Sequence, residues 1–313
     1  MSDEHSSIEP RLIQVGKVKE VYEIPESDQL EFRFTDKISV FDKVIPSIIP
    51  RKGESLCRTS AFWFERSAEL GVKTHFIELT SPDSMRVKRV RVERDMARIA
   101  PDSTSILVPL EFIARYYVAG SLLDRMRKGR IKMEDVGFPH DHVPKYGEPL
   151  PEPLFEATTK LEEIDRPVTN EEARELAKLS RDEWDDIVEA VMKVDRFIND
   201  QAAVRGMIHV DGKKEFGFDE NRELMLLDTF GTADEDRFWD AREYENGNLV
   251  ELSKEAVRQY YRSSGYHQEL MEARDRGIAK DLEPPIPALP ESEVRKVADL
   301  YREMYERLTG DSF

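Results

Sequence analysis

The sequence predicts an α+β fold, and three observations carry that prediction. The first hundred residues are short alternating apolar runs broken by Gly, Pro and Asp, with one helical segment among them. Residues 207–228 read as further extended runs folded back on each other. Between and beyond these, capping residues open stretches with helical periodicity. The expected division is a small, mostly antiparallel N-terminal domain over 1–106 and a larger α+β domain over 107–313, with its own sheet and C-terminal helices.

In order, Leu12 to Ile24 (LIQVGKVKEVYEI) reads as two strands joined at Gly16. Backbone turning at a glycine approaches a phosphate closely, and Lys17 and Lys19 would project to one side. An ordinary hairpin with solvated lysines fits the residues equally. Leu30 to Thr35 alternates and is a strand. Thr35 to Asp42 threads Asp36, Ser39 and Asp42 through apolar residues, as a loop that caps a sheet or faces a ligand. Pro46, Pro50 and Gly53 predict an irregular segment. Thr59 or Ser60 would cap a helix through Leu70, closed by Gly71. Thr74–Leu79 and Arg86–Val92 are strands.

Ile106 to Ser121 (ILVPLEFIARYYVAGS) starts as a buried strand with Pro109 at an edge or bulge. Glu111 and Arg115 interrupt it; they would pair with each other or face a polar ligand, because either is costly to bury alone. Gly120-Ser121 opens a short helix over Leu122 to Lys128, whose free N–H groups suit a phosphate monoester, with Arg115 as a bidentate partner. His140 and His142 lie in a Pro/Gly loop and read as solvated. Thr158-Thr159-Lys160 ends a run with a lysine able to reach a phosphate. Thr169 and Ser180 open helices through capping boxes, the second with Trp184, Ile187, Val188, Val191, Ile198 and Ala202 on a core face. Then come a strand over Met207–Val210, a turn at Asp211-Gly212, a strand over Lys214–Phe218, a turn at Asp219–Asn221 and a strand over Leu224–Asp228. Pairing of the last two brings Glu215 and Asp228 together. Facing carboxylates repel unless a cation such as magnesium lies between them. Short helices at Lys254–Arg262 and His267–Arg274, a Pro-rich linker and an amphipathic helix over Ser292–Leu308 complete the chain.

The bulk properties bound the function. The chain has 313 residues and a net charge of -17, which argues against nucleic acid or an acidic membrane as partner but allows a local basic pocket. Cys57 is the sole cysteine, so no internal disulfide forms and a reducing cytoplasm is expected, with Cys57 read as a buried apolar residue. The start, MSDEHSSIEP, has no apolar segment; it reads as frayed and as neither signal nor transit peptide. No apolar run approaches membrane-spanning length.

Seven segments in order resemble the SAICAR synthetase family: GKVKEVY, DKISVFD, RKGESLCRTSAFWF, VPLEFIARYYVAGS, LPEPLFEATTK, KKEFGFD and LLDTFGTADEDRFWD. The resemblance implies a cleft that binds ATP between the two parts. It implies a ligase joining L-aspartate to the carboxylate of carboxyaminoimidazole ribonucleotide (CAIR), giving SAICAR, ADP and phosphate in purine biosynthesis. It implies Gly16, Lys17, Lys19, Val21, Glu111 and Lys160 at ATP. Asp36, Ser39, Asp42, Arg115, Ser121 and Arg237 are implied at the substrate. Glu215 and Asp228 would hold Mg2+, with Lys213, Glu215 and Asp228 catalytic. The sequence departs from the family pattern at Lys214, where an apolar residue is usual. It departs again at Thr229, where many members have an acid, and in the loop before Arg237, which lacks the common proline. Another ATP-dependent carboxylate–amine ligase, or a nucleotide-binding regulator without turnover, stays open, as does a homo-oligomer.

Overall fold

The computed structural model describes residues 9–162 and 165–313. Residues 1–8, where a frayed start is expected, lie outside the described residues. Strands β1 (Arg11–Val15), β2 (Lys19–Glu23) and β3 (Gln29–Phe34) precede the hairpin of β4 (Lys37–Val40) and β5 (Lys43–Ile48). Helix α1 (Lys52–Glu69) and the hairpin β6 (Phe76–Ser81) and β7 (Ser84–Lys88) follow. Next come β8 (Ile106–Leu107), β9 (Leu110–Tyr117), α2 (Ser121–Arg127), β10 (Pro149–Thr159), β11 (Pro167–Val168), α3 (Asn170–Ala177) and α4 (Arg181–Ala203). Strands β12 (Met207–Phe218), β13 (Leu224–Leu227) and β14 (Arg237–Asp240) lead into α5 (Ala241–Glu245), α6 (Glu255–Ser263), α7 (Tyr266–Asp275) and α8 (Glu291–Thr309). The α+β class is as the sequence predicts.

The chain forms two compact units. One takes the chain through Phe62, Phe76–Arg89 and Leu252–Phe313; the other takes Trp63–His75 and Val90–Glu251. The boundary expected at residue 106 does not coincide with this division, since Leu252–Phe313 group with the N-terminal strands.

In the first unit an antiparallel sheet runs β1-β2-β3-β7-β6. The β1–β2 turn closes as the Gly16 N–H donates to the Lys19 carbonyl at 2.7 Å. A Cβ on Gly16 would lie 2.8 Å from that oxygen, so only glycine fits. The segment read as a loop over Thr35–Asp42 is instead the β4–β5 hairpin. Val40 pairs with Lys43, leaving Phe41 and Asp42 as a two-residue turn with φ 53° and 64°. Both central residues of such a turn need positive φ, a demand usually met by Asn and Gly, which is why Phe-Asp conceals it. Arg274 Nη2 donates to the Phe41 carbonyl at 3.0 Å and the His267 ring lies 4.5 Å from that of Phe41, so the C-terminal helices brace the turn.

Pro46 lies within β5, and Gly53 within α1, so the irregular segment expected there is not formed. The helix starts at Lys52, not at Thr59 or Ser60, which are buried inside it. Its early start is satisfied by Asp36, whose carboxylate accepts from the Gly53 N–H at 2.9 Å and the Arg51 N–H at 3.2 Å. The apolar stripe of α8 is buried: Ser55 Oγ donates to the Tyr301 carbonyl and Arg58 Nη2 to the Tyr305 hydroxyl, each at 2.6 Å.

In the second unit the sheet runs β11-β10-β9-β12-β13, with β14 and β8 also pairing with β12. Ser180 opens α4 through the expected capping box, and Trp184, Ile187, Val191 and Ile198 are buried. Phe112 bridges the layers, 5.9 Å from Trp184 and 5.6 Å from Phe216 between ring centres. The turn expected at Asp211-Gly212 does not form. Strand β12 runs through it because β9 pairs along Asp211–Lys214 and β14 along Met207–Asp211. What the sequence shows as a turn is a shift in register between His209 and Asp211. His140 is exposed and bonds Glu134, while His142 bonds Glu148 and stacks on Phe138, so they form no joint site.

Candidate active site

Strand β12 alternates its side chains, so Asp211, Lys213 and Glu215 share one face. Asp211 is buried and opposite Arg115 on β9. Arg115 Nη1 donates to Asp211 Oδ2 at 2.8 Å, and Arg237 Nη1 donates to both Asp211 oxygens at 2.9 and 2.7 Å. Arg115 Nε donates to Glu156 at 2.7 Å, and Arg125 Nη2 donates to the same carboxylate at 2.6 Å. Thus Glu111 and Arg115 do not pair with each other. Burial pushes the Asp211 carboxyl upward, but Arg237 and Arg115 outweigh it and hold it below the usual carboxylate range. Gly120 (φ 54°) lies against Arg237: a Cβ there would sit 2.7 Å from Nη2. The exposed Ser121 begins α2 beside it. Of the residues implied at the substrate, Arg115 and Arg237 are therefore drawn together on Asp211, and Ser121 directly follows the glycine that lies against Arg237.

Further along the same face, Lys213 Nζ donates to Glu111 at 2.8 Å and lies 3.3 Å from Glu215 and 3.2 Å from Glu235. Lys160 Nζ, at the end of β10, lies 2.5 Å from Glu215 and 3.9 Å from Glu111. Glu215 faces Leu227 across the β12–β13 pairing, one residue before Asp228. Asp228 takes φ 55°, a left-handed conformation that Asp tolerates, and its charge bears on both Glu215 and Lys160. Burial raises the Glu215 carboxyl; Lys160 and Lys213 pull it down, and Asp228 and Glu111 push it up again. Burial alone would lower Lys160 and Lys213, yet their carboxylate neighbours raise both.

Four carboxylates (Glu111, Glu215, Asp228, Glu235) against two ammoniums (Lys160, Lys213) leave a formal charge of -2. By charge and by its hard oxygen donors the group suits a divalent cation such as magnesium, with Glu215 and Asp228 as the residues that could hold it. Among the described residues, the one group of three or more His, Cys, Asp or Glu side chains whose ligand atoms all lie within 4.8 Å of one another is Asp195, His209 and Asp236, but there the Lys214 ammonium already sits on Asp195.

The residues implied at the nucleotide in the first unit lie on the β1–β2 hairpin. Lys17 pairs with Asp42 at 2.5 Å, Lys19 lies 4.1 Å from the Phe32 ring centre, and Val21 is half-buried. Ser39 is half-buried on β4, and Asp36 serves the start of α1. The sequence reading missed Asp211, Glu156, Arg125 and Glu235. Asp211 was concealed by the apparent turn, and Glu156 by a proline-rich run whose strand character depends on β9 beside it.

The family model for SAICAR synthetase matches residues 12–273. Over 303 residues the chain is 53% identical to the phosphoribosylaminoimidazole-succinocarboxamide synthase of Thermoplasma volcanium, covering 97% of this chain and 100% of that protein. The corresponding protein of Thermoplasma acidophilum is 52% identical, with the same coverage. Among solved structures, SAICAR synthase from Saccharomyces cerevisiae in complex with SAICAR superposes with a TM-score of 0.74 at 25% identity, covering 100% of this chain and 99% of that one. A SAICAR synthetase in complex with ADP superposes at 0.67 and 27% identity, covering 96% of this chain and 98% of that one. With its arginine and lysine–carboxylate groups side by side on β12, and near-complete coverage by relatives of one kind, the chain belongs to the SAICAR synthetase family.

Proposed function

We propose that the chain joins L-aspartate to the carboxylate of CAIR at the expense of ATP, giving SAICAR, ADP and phosphate. The observation that carries this is the adjacency on one face of β12 of two guanidiniums on Asp211 and two ammoniums among four carboxylates. The first group suits a phosphorylated, carboxylated substrate; the second suits the phosphoryl group that activates it. ADP and SAICAR are held by the solved relatives named above.

A carboxylate resists attack by an amine because it is anionic and oxide leaves poorly. Transfer of the terminal phosphoryl group of ATP to a CAIR carboxylate oxygen gives an acyl phosphate and ADP. The aspartate amine then attacks the acyl carbon, phosphate leaves with the former carboxylate oxygen, and the nitrogen sheds its proton. Positioning and charge neutralisation are the main requirements of the first step. Arg115, Arg237 and Ser121 hold the ribonucleotide. Lys213 steadies the carboxylate or the transferring group, and Lys160 and Glu111 border the nucleotide. Gly16 lets backbone approach the ATP phosphates, Lys17 and Lys19 offset their charge, and Val21 lies along the nucleotide. Asp36, Ser39 and Asp42 belong to the substrate-side segment. Glu215 and Asp228 would hold magnesium, which when bound draws off charge from phosphate oxygens.

Among the described residues no helix is long and apolar enough to cross a membrane, and a buried lone Cys57 suits a reducing compartment such as the cytoplasm. ADP release is measured with magnesium-ATP plus CAIR, plus aspartate, and plus both. Release that needs both, with SAICAR formed, is expected. Release with CAIR and a different amine would make this another ligase, and ATP binding without release would make it a regulator.

A further inference from the structure

Strand β12 carries a second set of charged groups on the face opposite Lys213 and Glu215. Lys214 is fully buried, and its ammonium bonds Asp195 on α4, also fully buried. The same ammonium lies 3.8 Å from Asp236 Oδ2. His209 reaches that oxygen through Nε2 at 2.8 Å and Asn199 through Nδ1 at 3.1 Å, with its ring stacked on Phe238. The register shift between His209 and Asp211 is what puts His209 on the Lys214 face, against simple alternation. Gly212 lies between them, and a side chain there would collide with the Asp236 carboxylate.

Burying such a set is expensive, and well-packed apolar residues would serve stability as well or better. The set must therefore be weighed by what it holds. Asp236 ends the segment that leads from Asp228 back to the sheet. Its Oδ1 accepts from the Gly231 N–H at 3.0 Å, and its own N–H donates to the Thr232 carbonyl at 2.9 Å. Its two neighbours in sequence reach the other face of β12. Glu235 lies 3.2 Å from Lys213, and Arg237 donates to Asp211. A single residue buried behind the strand thus separates two side chains that serve the site in front of it.

We propose that Lys214, Asp195 and His209 are positioning residues for the ligation. They fix Asp236 behind β12 and thereby set Glu235 on Lys213 and Arg237 on Asp211. The inference rests on the reading of Arg237 as a holder of the ribonucleotide.

The test is a cycle of Asp236→Asn, Arg237→Ala and their double variant in the full chain, with KM read for CAIR and for ATP. Asp236→Asn is expected to raise KM for CAIR about fivefold or more while KM for ATP stays within about twofold, which general destabilisation would not produce. In the Arg237→Ala background the same change should add less than about twofold, because the two residues act as one. Additive effects, or an unchanged KM for CAIR in Asp236→Asn, overturn the proposal. A wild-type KM for CAIR in Arg237→Ala instead overturns the reading of Arg237. If Asp236→Asn does not fold, the decision passes to Lys214→Met/Asp195→Leu, which swaps the buried pair for apolar residues and keeps His209 on Asp236. That variant should keep its Tm, exchange the Gly231 and Asp236 amide hydrogens faster, and raise KM for CAIR. Unchanged exchange with unchanged KM overturns the proposal.

Discussion

Replacing Asp228 with Asn removes one negative charge from the proposed magnesium site and keeps the size of the side chain. Asn tolerates the left-handed backbone that Asp228 adopts at φ 55°, so the turn after β13 is kept. The carboxylate excess of the group falls from -2 to -1. One unit charge about 4 Å from another is worth about 4 kcal/mol at an effective dielectric of about 20, and the amide oxygen retains part of it. A loss of about 1.4–4 kcal/mol of transition-state stabilisation follows, a roughly tenfold to thousandfold fall in turnover. Thermal stability without magnesium should change little, because Asp228 opposes the ionisation of Glu215 but supports the Lys160 ammonium. ADP release across a magnesium titration, with calorimetry alongside, reads both quantities. Full turnover with an unchanged magnesium requirement would remove Asp228 from the metal site and refute the charge count.

Gly120→Ala should raise KM for CAIR with a modest loss of stability, about 1–2 kcal/mol, because it strains a positive φ and drives a methyl into Arg237; kinetics and urea unfolding check it. The depressed Asp211 carboxyl contributes stability that is complete above its unfolded pKa of about 3.9 and lost as pH falls from there through the lower folded value. Acid unfolding of Asp211→Asn should therefore lack that part of the slope below about pH 4, and an identical slope would contradict the pairing. Burial pushes the Cys57 thiol up, so aromatic disulfide reagents should label it only as the protein unfolds. Labelling at the rate of a free thiol would show that α1 opens in the native state.

Local pattern was enough for β1 to β3, for α4 with its Ser180 box, and for α8 with its stripe, because each signal lies within a few residues. It failed where a distant partner decides. Asp211-Gly212 has turn composition, but β9 and β14 on either side hold it extended. Phe41-Asp42 lacks turn composition, yet forms a turn that Arg274 holds from far along the chain. In the candidate site, Arg115 was legible as a charge in an apolar run and Glu215 from the expected strand pairing, whereas Lys213 and Arg237 came from the family resemblance. Their partners were not, because Glu156 and Glu235 look like ordinary surface acids until β10 carries Glu156 beside Arg115 on β9 and the loop before β14 carries Glu235 to Lys213 on β12. Lys214 was legible only as a departure; Asp195 on α4 and Asp236 explain it, and neither is near it in sequence.

The first unit is assembled from three separated stretches, and its α8 is the last helix of the chain. A ribosome delivers residues in order, at about 5–20 per second. The strands through Phe62 emerge first, yet their unit lacks its remaining stretch until synthesis passes Leu252. That delay is on the order of 10–40 s, during which the apolar residues Phe32, Phe34, Ile38, Val40 and Ile45, buried in the finished chain, lack the stretch that completes their unit. The other unit is complete at Glu251 and can settle before it. During synthesis, then, the strands through Phe62 wait longest for the rest of their unit and are the stretch for a chaperone to hold.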